Sequence, residues 1–250
     1  YEISECLVGS EMCIRDSLSI GITIDGTEMK HDLNRVYKAS GRGSYKDVVR
    51  NIPLWLSQFP DASTKVTISS ADIPYIKESV LHLYALGIHE VNINCVFEDV
   101  WKAGDDRLFE EQLLMLADAI IDNGYYRDYS CSFFGEHLGK PLDCKLQNQN
   151  WCGAGMMLAV DAMGNFYPCT RFAQYSLRNK KAWIIGNIHD GIDKNKLRPF
   201  LILDRCTQST QECIDCEVAS GCAWCQGENY DAADTSTIYQ RSTAVSYTHL

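Results

Sequence analysis

Cysteine spacing is the feature that most constrains this chain. Two CxxC pairs, Cys213-Ile-Asp-Cys216 and Cys222-Ala-Trp-Cys225, are separated by five residues near the C-terminal end of the sequence. A tight CxxC turn lets both sulfurs face one metal centre, and neighbouring backbone N–H groups stabilise the thiolates. The spacing therefore favours a metal site, and the fold has to bring these thiols together.

The chain has 12 cysteines in 250 residues, and three interpretations compete for them. A disulfide framework requires an oxidising compartment, whereas the first half of the chain has the pattern of an intracellular enzyme. A structural zinc ion with four cysteine ligands fits the two CxxC pairs. Iron–sulfur clusters take four thiolates each, and they would also use the upstream cysteines that one zinc ion leaves without a role. Zinc and iron–sulfur clusters both stay open at this point.

Composition narrows the class of protein further. Apolar residues make up 46% of the sequence and charged residues 22%, which are globular values. The net charge of -10 argues against nucleic acid as the main partner. No apolar run approaches the roughly 20 residues of a membrane span. We therefore expect neither a nucleic acid nor a membrane as a partner, and we expect a cytoplasmic location.

The two ends carry strings that we expect to be artefacts. Residues 12–16 (MCIRD) and 245–249 (VSYTH) can be encoded by reverse-complementary DNA, and the shared string resembles a transposon end used in library preparation. We therefore expect residues 1–17 and 244–250 to be adapter sequence that takes no part in the fold. What remains is expected to be an internal fragment of a longer protein.

The first half of the remaining chain alternates between predicted strands and helices. Strand signals are short β-rich runs, and helix signals are apolar residues at helical spacing. This order is typical of parallel βαβ units. Predicted strands cover Leu18–Ile24, Lys65–Ser70, His89–Phe97 and Tyr129–Phe134, and predicted helices cover Asp47–Phe59, Ile73–Leu86 (stopped by Gly87) and Asp105–Gly124.

The chain changes character near residue 138. The sequence beyond it has short strands, many turns and eight of the ten cysteines that remain after the ends are removed. We place a domain boundary there, with one domain over residues 18–138 and a second over residues 139–243. Gly164 is predicted to be the turn residue of a hairpin that carries Cys169.

The second domain resembles a SPASM domain, the auxiliary iron–sulfur module of radical SAM enzymes that modify peptides. Eleven residues separate Cys152 from Gly164 and four separate Gly164 from Cys169, as in that family, and CxxCx5CxxC follows. Two departures stand out: Cys222-x2-Cys225 replaces the usual x3 spacing, and the family's last cysteine would fall near residue 245. The segment from Gly221 to Asp231 is similar to a subgroup that matures peptides with CXXX repeats.

The first domain is similar to the middle of a radical SAM barrel. Ile24-Asp25-Gly26, then His31-Asp32 and Arg35, then the Gly-rich bend at residues 41–43 carry this likeness. The resemblance implies an α/β fold: the C-terminal part of a radical SAM partial (β/α)6 barrel, followed by a small cysteine-rich α+β SPASM domain. The Cx3Cx2C motif that binds the catalytic cluster does not occur in the sequence.

The resemblance also implies the ligands and the cofactors. One auxiliary [4Fe–4S] cluster would use Cys144, Cys152, Cys169 and Cys225. A second, incomplete one would use Cys213, Cys216 and Cys222. Asp25 and Arg35 would help to bind S-adenosylmethionine (AdoMet), whose ammonium and carboxylate need an acceptor and a cation. The remaining positions are expected to be structural: Cys206 without a ligand role, Cys95 and Cys131 in the core, and His31 and His89 as ordinary polar residues.

The implied parent is an enzyme that modifies a ribosomally made peptide or protein through a 5′-deoxyadenosyl radical. Its partners would be that substrate and an electron donor such as flavodoxin or ferredoxin. We expect this fragment to be inactive alone because it lacks the Cx3Cx2C motif. A sulfatase maturase or an anaerobic regulatory protein also belongs to the range that the resemblance allows. The alternative is a four-cysteine zinc module on an α/β domain without radical chemistry.

Overall fold

The computed structural model describes residues 21–96, 98, 100–135, 139–144, 152–221 and 225–232. Within it the chain divides into two compact units, the first ending at Gly135 and the second taking up the rest. Both adapter-like ends, the first residues of the predicted strand Leu18–Ile24, and Cys222 lie outside the described residues.

The first unit is built on a parallel sheet whose strands lie side by side in chain order. Helices connect consecutive strands, so the predicted α/β class and parallel βαβ pattern are confirmed. The longest pairing joins the two central strands, from Thr64 opposite Val91 to Ile68 opposite Cys95. The strands are β1 (Ile22–Thr23), β2 (Thr64–Ile68), β3 (Glu90–Cys95) and β4 (Ser130–Cys131), and the helices are α1 (Glu28–Asn34), α2 (Tyr45–Val49), α3 (Ile52–Gln58), α4 (Ile76–Ala85) and α5 (Asp105–Asp122).

Helix α4 ends as its sequence predicts. Gly87 adopts a left-handed conformation with φ of 83°. Its N–H donates to the Tyr84 carbonyl at 2.9 Å, and the Ile88 N–H donates to the Leu83 carbonyl at 3.2 Å. These two bonds form a Schellman motif, which satisfies carbonyls that the helix end would otherwise leave unpaired.

Three predicted elements differ from the structure. The helix predicted from Ile73 begins at Ile76, because a 3-10 helix over Ser70–Tyr75, with Pro74 in it, comes before it. The single helix predicted over Asp47–Phe59 is two short helices, α2 and α3, because Pro53 has no N–H to donate and is tolerated only in the first turn of a helix. The strand predicted over Tyr129–Phe134 shortens to Ser130–Cys131, and a 3-10 turn follows it.

The core of the first unit lies between the sheet and helices α3, α4 and α5. Alternate residues of β2 face inward, so Val66 and Ile68 are fully buried while Lys65 is exposed. Leu83 of α4 and Leu116 of α5 are also fully buried. The apolar faces of the helices therefore cover the sheet at the spacing that the sequence shows.

The second unit contains a small antiparallel sheet and several short helices. Gly164, with φ of 81°, lies in the turn between its first two strands, which confirms the predicted hairpin. The strands are β5 (Ala159–Val160), β6 (Asn165–Tyr167), β7 (Gly186–Asn187) and β8 (Gly191–Ile192), and the helices are α6 (Lys194–Leu201), α7 (Arg205–Gln208), α8 (Gln211–Asp215) and α9 (Gln226–Asp231).

Four aromatic rings form the core of the second unit. Phe172 and Phe200 meet edge to face with centroids 4.9 Å apart, and Trp183 lies 5.2 Å from Phe200 and 5.4 Å from Tyr230. Aromatic pairs in this geometry add stability beyond the area that they bury. None of the helices in the described ranges is both long and apolar enough to cross a bilayer.

We predict that Gly26→Ala destabilises the first unit by about 3 kcal/mol. Gly26 has φ of 124°, and an added Cβ would overlap the Ser79 side chain and lie 2.8 Å from the Ser79 Cα of α4. Urea unfolding followed by far-ultraviolet circular dichroism measures the loss. Gly41→Ala is the control, because Gly41 has φ of 68° and open space around it. Its expected cost is about 1 kcal/mol, and equal losses for the two variants would contradict the prediction.

Candidate metal centre

Cys169 is presented by the β5–β6 hairpin. Asp161 fixes the turn: its carboxylate accepts bonds from the Asn165 and Tyr167 side chains at 3.0 and 2.7 Å, and from the Asn165 and Met163 N–H groups, both at 2.9 Å. These bonds, the one from the Asn165 side chain first, lower the pKa of Asp161 to about 2. The turn therefore keeps its charged acceptor at any physiological pH, and β6 leads directly to Cys169.

Cys225 is the N-cap residue of α9. Its Sγ accepts a hydrogen bond from the Glu228 N–H at 3.4 Å. A thiol at an N-cap satisfies one of the donors that the first turn of a helix leaves free. The same geometry stabilises negative charge on the sulfur.

Three of the predicted ligands lie close enough for their charges to interact. Burial raises the pKa of Cys169 to about 11, and the charges of Cys225 and Cys152 act on the Cys169 thiol in the same direction. Burial likewise raises the pKa of Cys225, against smaller effects of the Glu228 N–H and of Arg171. Burial therefore favours the protonated thiols of Cys169 and Cys225, and a bound cation would displace those protons.

Cys144 is placed differently from the prediction. It forms a disulfide with Cys206, with the two Cα atoms 5.8 Å apart. The backbone brings them together because the Leu142 N–H bonds the Ile214 carbonyl at 3.3 Å and the Ser220 N–H bonds the Lys140 carbonyl at 2.8 Å. A disulfide sulfur is not a thiolate, so a ligand role for Cys144 requires reduction of this bond.

The predicted second ligand set is described only in part. Cys213 lies in α8 and Cys216 directly follows that helix; both are free thiols and half-buried. Thr210 caps α8 by accepting a bond from the Cys213 N–H at 3.3 Å. Across the parts of the chain that the structure describes, no three Cys, His, Asp or Glu side chains converge at the spacing of a single metal ion.

The donor chemistry of Cys152, Cys169 and Cys225 nevertheless suits iron–sulfur clusters. Thiolates are soft ligands, which iron–sulfur clusters and zinc prefer. A four-iron cluster also spaces its cysteine sulfurs more widely than a single ion does. Three free thiols from separate segments, each partly buried, therefore offer the type of donor that this group needs.

Asp25 and Arg35 lie together, but they pair with each other. Asp25 is buried, and its carboxylate accepts bonds from the Arg35 guanidinium and, at 2.9 Å, from the Thr67 N–H of β2. The Arg35 side chain keeps 37% of its surface exposed. Arg35 is therefore the member of the pair that an anionic ligand can reach.

A buried charge network that the sequence pattern did not predict surrounds Asp25. The Lys30 ammonium bonds the Thr67 carbonyl and lies 3.5 Å from Asp72 and 4.0 Å from Asp25. Burial lowers the pKa of Lys30, while the two carboxylates oppose that shift. The network lies at the carboxyl ends of β1 and β2, the edge of a parallel sheet where ligands bind in α/β folds.

The prediction that His31 is an ordinary polar residue is wrong. His31 is fully buried, its Nδ1 accepts the Asp25 N–H at 3.1 Å, and its Nε2 lies 3.1 Å from the Ser44 hydroxyl. Burial lowers the pKa of His31, which favours the neutral ring that can accept this bond. The available signal was the spacing of four residues between His31, in the middle of α1, and Arg35, its C-cap residue, which places both on one face of the helix.

Comparison with solved structures identifies the fold class. The chain matches a structure titled native anSMEcpe with bound AdoMet and Cp18Cys peptide, at 18% identity and a TM-score of 0.57, covering 88% of this chain and 63% of that one. Hexahistidine-tagged anSMEcpe with bound AdoMet matches at 18% identity and a TM-score of 0.58, over 88% and 60%.

These likenesses show a shared fold. The chain spans about three-fifths of the length of those two structures. Native anSMEcpe with bound AdoMet and Kp18Cys peptide matches at 16% identity and a TM-score of 0.57, over 94% of this chain and 68% of that one. No known family profile matches the sequence, and no curated protein matches it.

We predict that Lys30→Met destabilises the first unit by about 3 kcal/mol, because it removes one partner from a buried charge network. Asp72 loses its ammonium partner while Asp25 keeps Arg35. Urea unfolding near neutral pH measures the change. Lys46→Met is the matched control, since Lys46 pairs with Glu28 on the surface and both side chains are at least half exposed. A Lys30→Met variant as stable as this control would contradict the assigned role.

We predict that Cys95 and Cys131 resist alkylation in the folded protein. Burial raises the pKa of both thiols to about 11, so almost no thiolate is present at pH 8, and reaction should accelerate as the pH rises toward 11. Iodoacetamide labelling of chelator-treated protein, followed by peptide mass mapping, measures each site. Cys213 and Cys216 are the internal reference. Cys131 is the decisive site, because it is buried whereas Cys95 is half-buried like the two reference thiols. Labelling of Cys131 as fast as Cys213 at pH 8 would place Cys131 outside the core.

Proposed function

We propose that this chain is part of a radical SAM/SPASM enzyme that modifies a ribosomally made peptide or protein. The supporting observation is the likeness of fold to anSMEcpe, which was solved with AdoMet and with peptides, the cofactor and the class of substrate that the SPASM-like cysteine spacing implies. The three free, partly buried thiols of Cys152, Cys169 and Cys225 support it from the chemistry of the site. The first unit would be part of the partial (β/α)6 barrel, and the second the SPASM domain.

The cysteines would hold two auxiliary [4Fe–4S] clusters. Cys152, Cys169 and Cys225 would ligate the first cluster, with Cys144 as fourth ligand once its bond to Cys206 is reduced. Cys213, Cys216 and Cys222 would belong to the second. The electron that cleaves AdoMet would come from a different cluster, the one that a Cx3Cx2C motif holds in such enzymes.

The chain's own residues would bind AdoMet and shield the first cluster from water. Arg35, held by Asp25, would present its exposed edge to the AdoMet carboxylate. The aromatic core behind Cys169 would exclude water from one side of the first cluster and so influence its potential. The sequence has no Cx3Cx2C motif, so we expect no AdoMet cleavage by this chain alone.

The partners follow from the same proposal. The substrate would be a peptide or protein, as the solved structures with bound peptides suggest. The electron donor would be a flavodoxin or ferredoxin, and the location cytoplasmic. The acidic net charge of -10 makes nucleic acid an unsuitable partner.

We predict that anaerobic reconstitution with iron and sulfide gives a brown protein with acid-labile sulfide. Cys169→Ser and Cys225→Ser should each lose the iron of one cluster, because each removes a ligand from the same site. Iron and sulfide analysis with visible absorption measures the loss. Cys131→Ser is the control, because Cys131 is buried in the core of the other unit.

Two results would contradict the proposal. One is a colourless protein with stoichiometric zinc, which supports the zinc module instead. The other is the same iron content in Cys169→Ser, Cys225→Ser and the unchanged protein. Loss of iron from either ligand variant supports the proposal only if Cys131→Ser retains its iron.

A further inference from the structure

An ion pair joins the two segments that carry Cys169 and Cys225. Arg171 lies two residues after Cys169, in a 3-10 turn, and Glu228 lies three residues after Cys225, in α9. The Arg171 guanidinium donates to the Glu228 carboxylate. Glu228 is buried and the Arg171 side chain keeps 30% of its surface exposed, so this pair is partly shielded from solvent.

Gly227 allows the two segments to approach this closely. A Cβ at Gly227 would overlap the Arg171 Cβ and lie 3.3 Å from the Arg171 carbonyl oxygen. Only hydrogen fits between α9 and the backbone of the turn. The distance between the Cys169 and Cys225 segments is therefore set by backbone packing as well as by charge.

A second guanidinium completes the cluster of charges. Arg178 donates to the other Glu228 oxygen at 2.6 Å. Asp231, at the end of α9, accepts the N–H groups of Arg178, Asn179 and Lys180 at 2.8, 2.8 and 3.0 Å. Two arginines thus face two buried carboxylates, and removal of any one of the four changes the local net charge by one unit.

These charges lie within reach of the thiols. The Glu228 N–H bonds the Cys225 Sγ at 3.4 Å, and the Arg171 charge acts on the same thiol. An iron–sulfur cluster gains one negative charge on reduction, and its potential depends on the net charge around it. A nearby positive charge therefore stabilises the reduced state and raises the potential, and a negative charge does the opposite.

We infer that Arg171 and Glu228 are positioning residues that hold the Cys225 segment against the Cys169 segment and set the reduction potential of the cluster bound there. This inference rests on the proposed function, because it assumes that these thiols hold a cluster. Neither residue needs to touch iron. Their effect passes through the two ligand segments and through the electrostatic field.

The test is a redox titration of the reconstituted chain followed by electron paramagnetic resonance. Glu228→Gln leaves two guanidiniums without their shared carboxylate, so the potential of the first cluster should rise. Arg171→Gln removes a positive charge, so that potential should fall. Lys196→Gln is the control, since Lys196 is an exposed cation of the same unit and should leave the potential unchanged.

Opposite shifts in reduction potential indicate an electrostatic role, because general damage to the site would shift the potential of both variants in the same direction. If Arg171→Gln loses iron while its circular dichroism stays unchanged, Arg171→Lys, which keeps the charge, should retain more iron than Arg171→Gln. Loss of iron by Glu228→Gln with unchanged circular dichroism would support the positioning role directly, provided that Lys196→Gln keeps its iron. Shifts of the same sign, or wild-type potentials with full iron content, would overturn the inference and leave the proposed function intact. Failure of the unchanged chain to bind a cluster would overturn both.

Discussion

The contact between α9 and the turn that follows Cys169 determines the architecture of the second unit. Gly227 lets the helix reach the Arg171 backbone, and Tyr230 on the same helix packs against Phe172 and Trp183. On one side of α9, Glu228 pairs with Arg171. On the other side, Tyr230 packs in the aromatic core. Because both sides belong to one six-residue helix, the position of Cys225 at its N-cap is fixed by packing, charge and hydrogen bonding together.

The thiol site is thus assembled from segments that are individually weak. The β5 and β6 strands have two and three residues, too few to be stable alone. Asp161 tightens their turn, and the aromatic core anchors the far side. A bound metal group would add the cross-link that small domains of this kind commonly need.

The first unit shows how much of a fold the sequence can predict and where prediction stops. The helical spacing of apolar residues was sufficient to predict α5, and Gly87 was sufficient to predict the end of α4, because both signals are local in the sequence. The buried network of Asp25, Lys30 and Asp72 was missed because it depends on contacts between residues 42 positions apart in the chain, as in the bond from the Thr67 N–H to Asp25. Such pairings exist only after parallel strands have aligned.

The cysteines likewise include features that the sequence indicates and features that only the folded chain determines. Cysteine spacing indicated a metal site, but the assignment of Cys169 and Cys225 to one cluster came from the resemblance to SPASM domains and stays a prediction. The bond between Cys144 and Cys206 could not be predicted, since it requires residues 140–142 to lie beside residues 214–220.

A crystal structure of the anaerobically reconstituted chain, with anomalous data at the iron and zinc edges, tests the central claim most directly. The account predicts an iron anomalous peak within bonding distance of the Cys152, Cys169 and Cys225 sulfurs. A zinc peak at these thiols, or an iron-free site with the three sulfurs apart, would contradict it.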